Sequence, residues 1–313
     1  PTVVESAGFT DVTVVPELEQ PDPDFPTVAF PNPEEPGAID LALALAVKID
    51  ADLVVANDPD ADRCALAVPD PSGPDGWRML RGDEVGALLA DHLLRAGRRG
   101  VYARSIVSSS LLGVMAAAHQ QPAVETLTGF KWIGRLPGLA FGYEEALGYC
   151  VDPDNVADKD GVSAGLLLCE IAAEAKAAGR SLLDLLDAMA SAYGLHATDQ
   201  LSARVDDLAD IAAVMTRLRA TPPLSLGGAE VTTIEDLSTG SADLPPTDGL
   251  RYRTADGSRV VVRPSGTEPK IKCYLEVVVP VGDSATGAVT AARREAATRL
   301  VALRADVAAA TGL

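Results

Sequence analysis

The chain has 313 residues, 47% of them apolar and 4% aromatic, with a formal net charge of −19. That charge argues against nucleic acid or an anionic membrane as partner, and no apolar run approaches the roughly twenty residues needed to span a bilayer. Length and apolar content fit about two to three domains with aliphatic cores, and Cys64, Cys150, Cys169 and Cys273 stand singly, without C-x-x-C spacing, as expected of reduced thiols in a cytoplasmic protein.

Residues 1–15 read as the middle of an α/β domain, 16–36 as a Pro-rich loop and 39–49 as a helix. An apolar run at 53–56 predicts a buried strand and 64–68 a second one. Between them lies Asp58-Pro59-Asp60-Ala61-Asp62-Arg63. Pro59 disfavours a helical Asp58 and removes a backbone donor, which keeps the loop irregular. Three carboxylates on alternate residues repel one another unless a cation lies between them, and oxygen-only ligands suit a hard ion such as Mg²⁺. The loop is not an EF-hand, which needs Gly and Glu where Arg63 and Pro69 stand. A solvated acidic turn is the plain alternative. A strand followed by Asp-x-Asp also resembles the haloacid-dehalogenase-type phosphatases, although Arg63 stands where a small or β-branched residue is usual.

After a turn at 69–76, a helix spans 82–95, and residues 79–195 alternate strand and helix at 101–103, 111–118, 138–141, 161–178 and 182–190, the pattern of a layered βαβ domain. Ser108-Ser109-Ser110 sits where the helix at 111–118 needs an N-cap. Gly142-Tyr143-Glu144-Glu145-Ala146-Leu147-Gly148-Tyr149 bounds two carboxylates with glycines, suiting either a polyol, whose hydroxyls they could accept, or a solvated turn. In Asp158-Lys159-Asp160-Gly161-Val162, Asp160 would cap the following helix and leave Lys159 free to face a ligand. Strands dominate from 196 onward, at 195–205, 229–234, 250–253, 259–263 and 271–279, with helices at 208–219 and 288–310. The last two strands flank Arg263-Pro264-Ser265-Gly266-Thr267-Glu268-Pro269-Lys270. Arg263 offers a bidentate fork, Ser265 and Thr267 hydroxyls, and Gly266 room for backbone N–H groups, which together suit phosphate as well as an ordinary polar turn. Cations at 259, 263, 270 and 272 make this hairpin basic within an acidic chain.

In this order and spacing the four segments resemble the α-D-phosphohexomutases over nearly the whole chain. The resemblance implies Asp58, Asp60 and Asp62 as Mg²⁺ ligands, with Arg63 beside the transferred phosphoryl group and Lys159 as a general acid/base or electrostatic stabiliser. It implies Glu144 and Ala146 at the sugar, and Arg263, Ser265, Gly266, Thr267 and Lys272 at the non-reacting phosphate. The implied fold is α/β: repeated mixed α/β layered domains, 1–78 for metal and 79–195 for sugar, followed by a separate C-terminal α+β phosphate-binding domain at 196–313. The implied activity is a Mg²⁺-dependent phosphosugar mutase acting on a hexose or pentose phosphate through a phosphoserine and a bisphosphorylated intermediate. Two departures qualify it. No Thr-Ala-Ser-His-Asn-Pro type segment occurs, so the chain is expected to be the C-terminal part of a longer enzyme and inactive alone. Ala146 replaces a Ser common in hexose-directed members, and Glu-Glu-Ala-Leu-Gly-Tyr looks more like the phosphopentomutase branch. The alternatives are a metal-dependent sugar phosphatase and a non-catalytic sugar-phosphate-binding protein.

Overall fold

The computed structural model describes every residue except 1, 21, 29, 205–207, 267–268, 283–286 and 313. The chain forms two units, one of residues 1–108 and 112–186, the other of 109–111 and 187–313.

The first unit opens with α1 (Thr2–Ser6) and α2 (Asp40–Ile49), then β1 (Val54–Asn57), β2 (Cys64–Pro69) and β3 (Trp77–Met79), which form an antiparallel sheet in that order. The expected buried first strand is an edge strand: of β1 only Val54 is buried, whereas residues 64–68 of β2, between two neighbours, are fully buried. There follow α3 (Gly82–Arg95), β4 (Val101–Ser105), α4 (Leu111–Ala118), β5 (Ala123–Thr126), α5 (Phe130–Ile133), β6 (Leu139–Glu144), β7 (Gly148–Cys150), α6 (Gly161–Ala177) and the first residues of α7 (Leu182–Tyr193), whose remainder from 187 belongs to the second unit. The second sheet has the order β5-β4-β6-β7, with β4 parallel to β5 and β6, and β7 antiparallel to β6. Each acidic loop thus sits at the turn of an antiparallel pair, β1–β2 and β6–β7.

Three local devices set the helices that flank these loops. Glu84, in the first turn of α3, accepts the Arg81 N–H at 2.9 Å, and Gly86 lets α3 lie against the Tyr143 ring, where a Cβ would come within 2.6 Å. The sparse aromatics concentrate here: Tyr102, Phe141, Tyr143 and Tyr149 follow one another at centroid spacings of 6.1, 6.0 and 6.4 Å. Asp160 caps α6 as expected, accepting from Val162 N at 3.0 Å and Ser163 N at 3.3 Å.

The second unit carries β8 (Leu195–Arg204), α8 (Leu208–Ala220), β9 (Ser225–Leu226), β10 (Ala229–Asp236), β11 (Leu250–Thr254), β12 (Arg259–Pro264), β13 (Lys270–Val279) and α9 (Ala288–Thr311). Its antiparallel sheet runs β8-β13-β12-β11-β10-β9. Ala292, Ala296, Leu303 and Val307 give α9 an apolar stripe that meets Ile271, Cys273, Leu275 and Val277 of β13 in one core. The alternation in β13 predicts one wet face, yet Tyr274 and Glu276 on that face are buried too. The reason is a buried ion pair. Arg259 Nε lies 3.0 Å from Glu276 Oε2, and Glu276 Oε1 accepts from Ser109 Oγ at 2.8 Å and Ser110 N at 2.7 Å. Burial opposes the charge of Glu276, but Arg259, His196 and Ser109 hold its carboxyl well below the usual range. Ser109 also accepts from Leu111 N at 3.2 Å, so the serine run does serve the start of α4, while Ser110, directly before the helix, turns to Glu276.

All four cysteines are free, and Cys64, Cys150 and Cys273 are buried. Among the described residues, no helix is long and apolar enough to cross a membrane.

Candidate functional site

Three loops distant in sequence are tied together by backbone hydrogen bonds within the first unit. Cys64 N donates to Leu147 O at 3.0 Å, and Arg63 bridges to Gly148. Gly161 N donates to Ala61 O at 3.0 Å, and Asp160 N to Tyr149 O at 2.9 Å. Both non-helical acceptors, Ala61 (φ 57°) and Leu147 (φ 65°), hold left-handed backbone that non-glycine residues adopt only at a cost. Two glycines make the approach possible. A Cβ on Gly161 would lie 2.2 Å from Arg63 O, and one on Gly148 would lie 2.4 Å from Lys159 Cδ.

Within this frame Asp58, Asp60 and Asp62 each place a carboxylate oxygen within 4.8 Å of the others. Asp58 is buried at 6% exposure. Its Oδ1 accepts Arg63 N at 3.0 Å and its Oδ2 accepts Arg63 Nε at 2.5 Å. Arg63 also lies 3.8 Å from Asp62. An ionised carboxylate has about four lone-pair sites, so these bonds leave Asp58 able to ligate. The donor set is all oxygen, as a hard divalent cation requires, and the ligand spacing fits.

Lys159 Nζ stands 2.6 Å from Asp62 Oδ2 and 6.0 Å from the centre of the Phe130 ring. Burial works against its charge, but the hydrogen bond and charge of Asp62, with Asp158 and Glu144 beyond, hold the ammonium above its ordinary pKa. The sequence leaves Lys159 free to face a ligand; the structure gives it to Asp62. Glu144 Oε1 accepts Gly129 N at 2.6 Å. Glu144, Glu145 and Ala146 are all partly exposed. Gly129, at φ 107°, opens α5 and carries no signal in the sequence, because Leu127-Thr128-Gly129 has no periodicity and its partner Glu144 lies at the end of β6.

The phosphate-suited residues lie in the second unit. Arg263 pairs with Lys272 across β12 and β13, and Lys272 pairs with Ser202 of β8. Like charges directly opposite on one sheet face repel, so an anion there would relieve a cost built into the register. Ser265 N donates to Lys270 O at 2.8 Å and closes the turn, leaving Gly266 exposed. Thr267 lies outside the described residues. Arg259, on the same face of β12, adds little net charge to the basic hairpin, because Glu276 pairs with it.

The comparisons with known proteins converge. Residues 1–73 match "Phosphoglucomutase/phosphomannomutase, alpha/beta/alpha domain II", 81–193 match domain III, and 201–285 match the C-terminal domain of the same family. The Haemophilus influenzae protein named "Probable phosphomannomutase" is 45% identical over 273 residues, covering 86% of this chain and 55% of the relative. Human phosphopentomutase is 38% identical, covering 86% and 49%. The chain spans about half the length of the curated relatives it matches. The crystal structure of Paramecium parafusin, a phosphoglucomutase in its open form, shares the fold with a TM-score of 0.64 at 23% identity, over 90% of this chain and 51% of that one.

Proposed function

Because the chain belongs to the phosphoglucomutase/phosphomannomutase family, we propose that it serves a phosphosugar mutase reaction, moving phosphate between C1 and C6 of a hexose, or C1 and C5 of a pentose. In this reading residues 1–78 hold the metal, 79–195 the sugar and 196–313 the non-transferring phosphate. The observation that carries it is that backbone hydrogen bonds tie the Asp58–Asp62 loop, the Glu144 loop and the Asp160–Gly161 turn together, with Lys159 paired to Asp62.

Phosphoryl transfer depends mainly on positioning and charge neutralisation. Asp58, Asp60 and Asp62 would hold Mg²⁺, which when bound offsets charge on the phosphoryl group. Arg63, anchored by Asp58, presents its remaining guanidinium N–H groups beside that site. Lys159, kept cationic by Asp62, supplies a proton or a fixed positive charge at the reacting hydroxyl. Glu144, steadied by the Gly129 N–H, accepts hydrogen bonds from the sugar hydroxyls, and Ala146 beside it contributes no hydroxyl of its own. Arg263, Ser265, Gly266, Thr267 and Lys272 hold the far phosphate, a general anion site that accepts either end of a bisphosphorylated intermediate. The phosphoryl group passes from an enzyme phosphoserine to the free sugar hydroxyl, and the other phosphate then returns to the serine.

The pentose branch of this reading draws on Ala146 and on the Glu-Glu-Ala-Leu-Gly-Tyr segment. The test is product analysis with protein expressed from the complete reading frame, given Mg²⁺, a sugar bisphosphate primer and the 1-phosphates of glucose, mannose and ribose. Interconversion that disappears in Asp60→Asn supports the reading. Release of free sugar and inorganic phosphate would replace it with a phosphatase, and binding without turnover would replace it with a binding protein.

A further inference from the structure

The acidic loop carries a second carboxylate that the proposed reaction leaves unused. Glu145 directs its carboxylate onto Ser105 and Ser108, both fully buried. Glu145 Oε2 lies 3.2 Å from Ser105 Oγ and 3.0 Å from Ser108 Oγ, and the two hydroxyls are 2.8 Å apart. The three oxygens form a triangle with hydrogen-bonding distance along every edge. Two serines bring two hydrogens, and an ionised carboxylate brings none. One edge of the triangle would then place two oxygens together without a proton. A neutral Glu145 supplies the third hydrogen, so that along the triangle each oxygen donates once and accepts once, while the Ser108 and Glu145 N–H groups donate to Ser105 Oγ and Ser108 Oγ from outside it.

The same side chain and its backbone fix the loop. Glu145 N donates to Ser108 Oγ at 3.0 Å. Gly82 admits the Glu145 carbonyl, which a Cβ on that residue would meet at 1.8 Å. Glu144 is the next residue along, so its reach to Gly129 depends on where Glu145 is held. The acidic groups that face Glu145 disfavour its charge, while the hydrogen bonds from Ser108 and from its own backbone N–H favour it. Asp83 in the first turn of α3 and Glu144 on its own loop are both acidic. Tyr143 donates to Asp83, and Tyr149 donates to the Gly82 carbonyl. Arg104, at the end of β4, turns its guanidinium to the Ser105 and Ser108 carbonyls and to the Glu125 carboxylate.

We propose that Glu145 is a positioning residue for Glu144: as a neutral acid it closes a hydroxyl ring with Ser105 and Ser108 that holds the loop, and losing its proton opens the ring and withdraws Glu144. The sugar-binding consequence rests on the reading of Glu144 given above; the ring itself does not. Although Glu145 as a whole residue is partly exposed, burial of its carboxyl first, then the charges of Asp83 and Glu144, push it up to about 7, so the device switches near neutral pH. Apparent affinity scales with the competent fraction. Between about pH 6 and pH 8 the neutral fraction, and with it phosphosugar affinity, should fall about tenfold.

The first experiment needs no ligand and no variant. In the whole chain, the carboxyl carbon of Glu145 and the amide of Gly129, which donates to Glu144, are followed by NMR across about pH 5 to 9. Both should titrate together with a midpoint near 7. In Glu145→Gln, which stays neutral and keeps a donor, the Gly129 amide should no longer move in that range. A Glu145 midpoint below about 5, or a Gly129 titration that survives in Glu145→Gln, overturns the proposal. The second experiment measures glucose 1-phosphate binding by calorimetry at about pH 6 and pH 8. Ionisation of the ligand's own phosphate affects wild type and variant alike, so the ratio of the two affinities is read. That ratio should shift about tenfold with pH, whereas a merely structural Glu145 would leave it flat and overturn the coupling. No binding at either pH, alongside the expected NMR titration, would remove the phosphosugar reading and leave the hydroxyl ring standing.

Discussion

Replacing Gly161 by Ala puts a methyl group where the backbone of the Asp58–Arg63 loop already lies. The added Cβ would stand 2.2 Å from Arg63 O and 2.6 Å from Asn57 Nδ2, while ordinary contact begins at 3.4 Å. The obstacle is main chain, so the Asp58–Arg63 loop must recede by about 1 Å, since packed interiors leave no slack. That movement breaks Gly161 N to Ala61 O at 3.0 Å and Asn57 Nδ2 to Arg63 O at 2.8 Å. Two such hydrogen bonds are worth roughly 1 kcal/mol each. Ala in place of Gly in a helix returns at most about 1 kcal/mol. The expected net effect is a destabilisation of about 1–2 kcal/mol once the residual clash is included. Metal affinity should suffer more, because ligand distances tolerate only about 0.2 Å; we expect Mg²⁺ binding to weaken at least about tenfold. Gly113→Ala is the matched control. Gly113 sits in α4 with nothing within 4 Å of its Cβ position, so Ala there should stabilise by about 0.5–1 kcal/mol. Thermal unfolding and Mg²⁺ calorimetry on both variants decide the matter. Equal stability of the two, or Gly161→Ala binding Mg²⁺ as wild type does, would refute the argument that this glycine makes room for the Asp58–Arg63 loop.

Three further outcomes are expected. Arg263→Lys replaces a planar fork by a point donor and should weaken phosphosugar binding by about 1.5–3 kcal/mol; unchanged KM and kcat would move the phosphate site elsewhere. Glu276→Gln removes the charge that faces buried Arg259, and a urea titration should show a loss of about 3–5 kcal/mol in the second unit. Because the Glu276 carboxyl is held below its ordinary value, its contribution is full above 4.5 and fades as pH falls, so the variant should also show a flatter acid-unfolding curve. Glu145 acts with the opposite sign. The native state binds more protons than the unfolded chain between 4.5 and about 7, so stability should fall across that window by up to about 3 kcal/mol. Denaturation midpoints of Glu145→Gln, compared at about pH 5 and pH 8, should lose this slope.

Much of the local structure was legible in the sequence because it follows from spacing within about ten residues. The Asp-x-Asp-x-Asp loop between two apolar runs, the Asp160 cap and the helices α3, α4, α6 and α9 all emerge within a few residues of their expected limits. Short elements escaped: β5 and α5 have four residues each, too few to show a period. The edge position of β1 and the buried polar face of β13 escaped as well, since a strand's neighbours are not written in its own pattern.

By itself, then, the sequence determined which residue types could carry metal, sugar and phosphate chemistry, and the loops on which they stand. Tertiary structure decided which of them meet. Lys159 reaches Asp62 only because Gly161 and Gly148 let the start of α6 lie against two other loops. Gly129 finds Glu144 from the turn before α5, and Glu145 finds Ser105 and Ser108 because β4 and β6 are parallel neighbours. Arg259, one of four cations near the hairpin, is taken out of that set by the register that sets it opposite Glu276. The physical reason is common to these cases. A hydrogen bond or ion pair forms across a few ångströms of space, and strand order and register, not separation along the chain, decide which groups come that close.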